Sequence, residues 1–184
     1  MRQPFIILLF AAIALVSCSA PKKSISNSRS PSKTHKSYEG PAAERESAPI
    51  RTPEGYLRAE GLASDKRLVR LVDEWLGVPH RMGGKDKNGI DCSGFVTLAM
   101  NKVYNKDFSG PSAVMATKVK DIKKSDLREG DLVFFKINGP KVSHVGLYLS
   151  DGYFVHATVR KGVLISSLSE PYYDKYYSGS GRVL

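Results

Sequence analysis

Three side chains in this sequence are of the types that nucleophilic catalysis uses: Cys92, His144 and His156. Cys92 lies in Gly89-Ile90-Asp91-Cys92-Ser93-Gly94-Phe95-Val96, a stretch that reads as a loop turning into a helix. Asp91 is a favourable N-cap, and Phe95, Val96, Ala99, Met100 and Val103 follow at helical spacing. A thiol in that first turn faces unpaired backbone N–H groups and the positive end of the helix dipole. Both favour the thiolate, the form a cysteine nucleophile needs near neutral pH. A small cysteine that merely packs in a core fits this stretch equally well. The rest of the chain has to decide.

Of the four histidines, His35 falls in a polar N-terminal segment and His80 in a Pro/Gly-punctuated loop. His144 and His156 fall on adjacent expected strands joined by Ser150-Asp151-Gly152. Alternation puts His144, Gly146 and Tyr148 on one face, and Val145, Leu147 and Leu149 on the other. If those three residues form the whole loop, with Gly152 in the left-handed position, Leu149 faces Tyr153 and Gly146 faces His156. His144 is then the diagonal same-face neighbour of His156. A two-residue loop would put the histidines on opposite faces. Gly146 is expected to leave that face uncrowded, so that the helix carrying Cys92 can approach. The set then reads as nucleophile, base, and a second imidazole holding the first in its useful tautomer. A zinc site from Cys92, His144 and His156 is the weaker reading, because no CxxC or HxxxH pair accompanies them.

The elements that must position these residues come in a simple order. Ser64 is a candidate cap for a helix with Leu68, Val69, Val72, Trp75 and Leu76 inward and Gly77 as its stop. The cysteine helix follows, then a short helix around Ser112 to Val119. Strands are expected over Leu132–Ile137, Ser143–Leu149, Tyr153–Val159, Val163–Leu168 and Ser180–Leu184. Helices first and strands afterwards indicate an α+β domain, its N-terminal helices packed on an antiparallel sheet.

The chain has 184 residues and a formal net charge of +10, which suits anionic partners. It carries no helix-turn-helix, RNA-binding or zinc-finger signature, so nucleic acid is not the expected partner. Arg2 followed by an apolar run from Phe5 to Val16 reads as an export signal, too short for a good membrane span. The run ends in Leu15-Val16-Ser17-Cys18, which resembles the bacterial lipobox. That resemblance implies that Cys18 is lipidated, becomes the mature N-terminus and anchors the protein in a membrane. Ser19, rather than an acidic residue, leans towards the outer membrane facing the periplasm. Residues 19–55 are rich in Ser, Pro, Lys and Glu and read as a flexible linker. The domain takes in residues 56–184. There are two cysteines, so a lipidated Cys18 leaves Cys92 as an unpaired thiol in an exported protein. Such an oxidation liability needs a reason, and catalysis is the leading one.

With these residues in view, the sequence resembles the NlpC-type family of bacterial cell-wall cysteine peptidases over most of residues 62–184. The motifs that carry the resemblance are Gly89–Val96, Gly130-Asp131-Leu132-Val133-Phe134-Phe135, Ser143-His144-Val145-Gly146-Leu147-Tyr148 and Phe154-Val155-His156-Ala157. It implies a papain-like (circularly permuted) fold, with Cys92 as nucleophile, His144 as general base and His156 as the polar third member. Asp91 and Ser93 match residues lining the subsite for the N-terminal side of the substrate, although Asp91 is equally a helix cap. Many members have a tyrosine at the oxyanion or substrate-amine side twelve residues before the nucleophile, where this chain has His80. A neutral imidazole donates a comparable hydrogen bond, with specificity or pH range open to change. The Gly110-Pro111-Ser112 region also lacks the arginine-led motif expected before the middle helix.

The resulting expectation is a monomeric, lipid-anchored murein hydrolase that cleaves an amide bond of stem peptides or cross-links through a thioester on Cys92. No cofactor or metal is implied. The rivals are an amidase or acyltransferase on the same fold, favoured by a wide hydrophobic cleft, and a non-catalytic wall-binding lipoprotein.

Overall fold

The computed structural model describes residues 51–52 and 55–184. The signal segment, the lipobox Cys18, His35 and nearly all of the 19–55 linker lie outside the described residues. No helix among the described residues is long and apolar enough to cross a membrane.

Helix α1 (Lys66–Trp75) turns Leu68, Val72 and Trp75 inward, and its chain leaves through Gly77 at φ +76°. Its N-cap is Asp65, whose carboxylate accepts from Arg67 N, and not Ser64 as expected. Two consecutive residues were competent to cap. The carboxylate of Glu129 takes the amides of Ser64 and Asp65 together with the Ser64 hydroxyl, so Ser64 is spent on another partner. A two-residue ribbon, β1 (Lys85–Asp86) and β2 (Gly89–Ile90), precedes helix α2 (Cys92–Lys102), which buries Phe95, Val96, Ala99 and Met100. Helix α3 covers only Ser112–Met115, short of the expected Val119, because Val119 packs its side chain over Gly181 and the chain pairs as strand β3 (Lys120–Ile122).

The remaining strands are β4 (Leu132–Phe135), β5 (His144–Tyr148), β6 (Tyr153–Thr158), β7 (Gly162–Ser167) and β8 (Tyr177–Arg182). With β3 they form one antiparallel sheet in the order β3-β8-β4-β5-β6-β7. The last strand starts at Tyr177 and ends at Arg182, three residues earlier at its start than the sequence suggested and without Val183 and Leu184. The α+β architecture with helices on an antiparallel sheet is as expected.

Alternation along the strands separates two apolar layers. Leu132, Phe134, Val145, Leu147, Val155 and Ile165 pack under α1 and α2. Burying each such side chain contributes about 1.5–3 kcal/mol before entropy is counted. Val133, Phe135, Tyr148 and Phe154 form the second layer, closed by Leu168 and Tyr173. Tyr173 belongs to a short helix, α4 (Pro171–Tyr176), which the sequence reading did not include.

The hairpin between β5 and β6 has the three-residue loop that the sequence suggested, with Leu149 N donating to Tyr153 O at 2.9 Å. Asp151 and Gly152 both adopt positive φ, 51° and 81°, where only the glycine was expected to. The pairs Leu147↔Val155 and Tyr148↔Phe154 set a register that puts His144 and His156 on one face.

The expected use of Gly146 needs correction. The space over it holds the ring of Phe154, and a Cβ at this position would come within 2.4 Å of Phe154 Cδ2. The cysteine helix packs against the opposite face of β5, on Val145 and Leu147. Gly146→Ala is therefore expected to destabilise the domain by about 1–3 kcal/mol through overpacking. Urea denaturation checks this; an unchanged midpoint would mean that Phe154 repacks freely.

Candidate active site

Asp91 organises the start of α2. Its Oδ1 accepts from Gly94 N at 2.7 Å and from the Ser93 hydroxyl at 2.9 Å, while Oδ2 accepts from Gly83 N at 2.6 Å. One carboxylate thus caps the helix and ties down the glycine loop before it. Burial works to raise its pKa, but the bonds from Gly94, Ser93 and Gly83 win, helped by the nearby His80, and the carboxyl stays below its ordinary range. Of the two roles expected for Asp91, the capping role is the one the geometry displays. Gly94 completes the joint: a Cβ there would sit 2.6 Å from the Gly84 carbonyl oxygen.

Cys92 opens the helix as a half-buried free thiol. Burial pushes its pKa up, and the Asp91 charge adds to that. The N–H groups of Val145, Ser93 and Cys92 itself aim at the sulfur and pull the other way. The balance is upward. This corrects the expectation that the helix terminus alone favours the thiolate: desolvation wins, and the resting sulfur is a thiol.

His144 begins β5 and His156 sits mid-way along β6. His144 Nε2 and His156 Nδ1 are 2.7 Å apart, and the two rings meet nearly edge to face at 81°. Nitrogens at this separation, aimed at each other, share a proton rather than an ion, which argues against the zinc reading of the same residues. His156 is 0% exposed and caged by Phe154 and Tyr173, with ring centroids at 4.7 and 5.1 Å. Burial holds its pKa well below 6.5, and His144 adds to the effect. Burial likewise brings His144 down to about 4, with a smaller contribution from His80. Both imidazoles are neutral near pH 7.

A cleft of about 1180 Å³ brings Cys92, His144 and His156 together with His80, Asp91 and Ser93. All six domain residues singled out from the sequence therefore meet at one place; Cys18 lies outside the described residues. His80 reaches the cleft from the loop before β1, held by a bridge to Ile90. The hydroxyl of Ser93 donates to Asp91, so these two side chains first of all bind each other. Sequence reasoning missed Ser166, which lies 3.2 Å from His156 Nε2, and Tyr173 beside it. The available signal was a serine at an inward position of the strand following the His156 strand.

Residues 77–182 match the NlpC/P60 family. The chain belongs to that family. It is 39% identical over 127 residues to the probable endopeptidase NlpC homolog of Haemophilus influenzae, covering 69% of this chain and 67% of that protein. It is 40% identical over 118 residues to the murein DD-endopeptidase MepS/murein LD-carboxypeptidase of Escherichia coli K12, covering 64% of this chain and 62% of that protein. Among solved structures, an NlpC/P60 family protein of Bacillus cereus superposes with a TM-score of 0.59 at 26% identity, over 78% of this chain and 52% of the other. The NlpC/p60 domain of the peptidoglycan hydrolase SagA superposes with a TM-score of 0.55 at 26% identity, over 65% and 99%. The papain-like fold is thereby that of the NlpC/P60 domains.

Two neutral histidines, His156 buried and His144 half-buried, make this NlpC/P60 domain acid-sensitive. The unfolded chain takes up protons at the ordinary histidine value of 6.5, whereas the folded protein resists until about 4 at His144 and until well below 6.5 at His156. The unfolded state then binds more protons, so stability falls as the pH drops through that window. The melting temperature should decline from pH 6.5 towards 4, and His156→Gln should flatten the decline. A wild-type profile flat across the window would refute the neutral pair.

Proposed function

We propose that this domain is a peptidoglycan endopeptidase in which Cys92 is the nucleophile, His144 the general base and His156 its orienting partner. The observation that carries the proposal is the 2.7 Å contact between His144 and His156 in the cleft that also holds Cys92. With Nε2 committed to His156, Nδ1 is the nitrogen of His144 left to serve the cleft.

The chemistry follows from two neutral partners. As the sulfur attacks a substrate carbonyl carbon, its proton passes to His144 Nδ1, and the new imidazolium donates through Nε2–H to His156. The carbonyl oxygen becomes an oxyanion, and the unpaired N–H groups at the start of α2 are suited to receive it. The C–N bond then breaks, and the departing amine takes the proton from His144 Nδ1, leaving a thioester. Water gives a proton to His144 and its oxygen to the acyl carbon. The thiolate leaves and is reprotonated, which restores the thiol.

Stem peptides of murein are the proposed substrate. The relatives named as endopeptidases support this, as does a rim carrying Lys85, Arg160 and Lys161, which suits the carboxylates of such peptides. His80 and Ser93 are proposed to contact substrate. The leader and Leu15-Val16-Ser17-Cys18 support export and lipid anchoring through Cys18, and Ser19 supports the outer membrane as the destination. We propose that the anchored protein acts as a monomer.

The full chain in detergent, incubated with purified murein and with isolated stem peptides, tests the activity by mass spectrometry. Wild type should release new amine ends and thereby name the bond cut. Cys92→Ala and His144→Ala should lose at least about a thousandfold in rate. With His144 at about 4, the acid limb of kcat/KM should fall near pH 4 instead of near 6.5. Undiminished cleavage by Cys92→Ala would sink the mechanism.

A further inference from the structure

We propose that Ser166 and Tyr173 are positioning residues which keep the proton of His156 on Nε2, and so leave Nδ1 of His144 free to act as the base. This rests on the peptidase reading above, and it concerns a feature which that reading leaves open. Between His144 Nε2 and His156 Nδ1 there is room for one proton, and either ring can own it.

The two ownerships are not equivalent. In the first, His144 carries its proton on Nε2 and donates to His156, whose own proton is on Nε2 and goes to Ser166 Oγ at 3.2 Å. His144 Nδ1 then holds a lone pair. In the second, His156 carries its proton on Nδ1 and donates to His144, whose proton must move to Nδ1. His144 then faces the cleft with an N–H and cannot accept the proton of a thiol. Both arrangements satisfy the contact between the rings, so the rings alone do not choose.

The hydroxyl beyond them does. Ser166 is 3% exposed; its hydroxyl lies 3.2 Å from His156 Nε2, and the phenol of Tyr173, whose ring stands edge-on to His156 at 5.1 Å, is its other polar neighbour. To accept from His156, Ser166 must send its own proton elsewhere, and in this proposal the neighbouring Tyr173 oxygen takes it. Tyr173 lines the cleft and is 8% exposed, which leaves its own proton a route to solvent. The chain therefore runs His144, His156, Ser166, Tyr173, each group donating to the next and the last to water. Remove the tyrosine oxygen, and His156 Nε2 becomes the remaining side-chain acceptor for the serine proton, which reverses the chain. Remove the serine hydroxyl, and the first arrangement strands an N–H donor inside the aromatic cage, whereas the reverse strands only a lone pair. Burial keeps His156 neutral throughout, so it always has a single proton to place.

The test uses the full chain, labelled with 15N-histidine, in a Cys92→Ala background that holds the site without turnover. Nitrogen chemical shifts distinguish protonated from unprotonated ring positions, and His144 and His156 are assigned from single-histidine variants. The His156 proton should reside on Nε2, and both Ser166→Ala and Tyr173→Phe should move it towards Nδ1. With Cys92 present, these two variants should lose on the order of ten- to a hundredfold in kcat on stem peptides at unchanged KM. Ser166→Thr, which keeps the hydroxyl, should restore both readouts. A wild-type proton on His156 Nδ1 would overturn the proposal, as would variants that change neither tautomer nor kcat. The spectrum needs no turnover, so a wild type that cleaves no murein yet shows the Nε2 proton would sink the peptidase reading and leave the proton placement standing.

Discussion

One proton, held between a buried and a half-buried imidazole, is what the rest of this domain is built to place. His156 is sealed in an aromatic cage and stays neutral, so it cannot support a charged His144 as a carboxylate would. A carboxylate in that cage would itself carry a heavy desolvation cost. The neutral partner offers direction instead of charge: it accepts one hydrogen bond at one atom. The same low-dielectric setting raises the thiol of Cys92 and lowers His144. Cys92 and His144 therefore both rest uncharged, and in the proposed mechanism charge separates only as the sulfur attacks. A resting thiol is also less open to oxidation than a resting thiolate would be.

Such a site works only if the sheet holds its register, since a one-residue slip would carry His156 to the opposite face. The aromatic layer of Phe135, Phe154 and Tyr173 fixes the face, and the bare Gly146 admits the Phe154 ring. At the far end of β4, Asp131 is 1% exposed and receives Nε and Nη2 of Arg182, both at 2.7 Å. This pair locks the start of β4 against β8. A buried ion pair adds little net stability, but breaking one is costly, so it penalises alternative registers more than it strengthens the native one. Asp91 plays the matching part on the other layer, joining the glycine loop to the cysteine helix through three hydrogen bonds.

The features legible in the sequence are those set by short-range rules. Loop length between Leu149 and Tyr153 fixed the face shared by His144 and His156, and the Asp91 cap followed from its place before an apolar periodic run. Alternation also separated Val145 and Leu147 from His144 and Gly146. It could not say which layer lay over which face, and for that reason Gly146 was assigned to the cysteine helix instead of to Phe154. Adjacent Ser64 and Asp65 both suit a cap, and the choice depended on Glu129, sixty-four residues beyond Asp65. Six residues of α4 are too few to display a period, so Tyr173 stayed out of view, and with it one wall of the His156 cage.

His80 shows how a single replacement acts on this arrangement. Its side chain lies close enough for its charge, when protonated, to lower the pKa of both Asp91 and His144. For Asp91 this is harmless, since the capping carboxylate is already ionised. For His144 it opposes the imidazolium that the proposed attack by Cys92 requires. The tyrosine found at the matching position in many family members donates a hydrogen bond without that penalty. A histidine at position 80 serves the attack only in its neutral form, where one ring N–H offers the same donation. The replacement thus bears on His144 through charge as well as through hydrogen bonding.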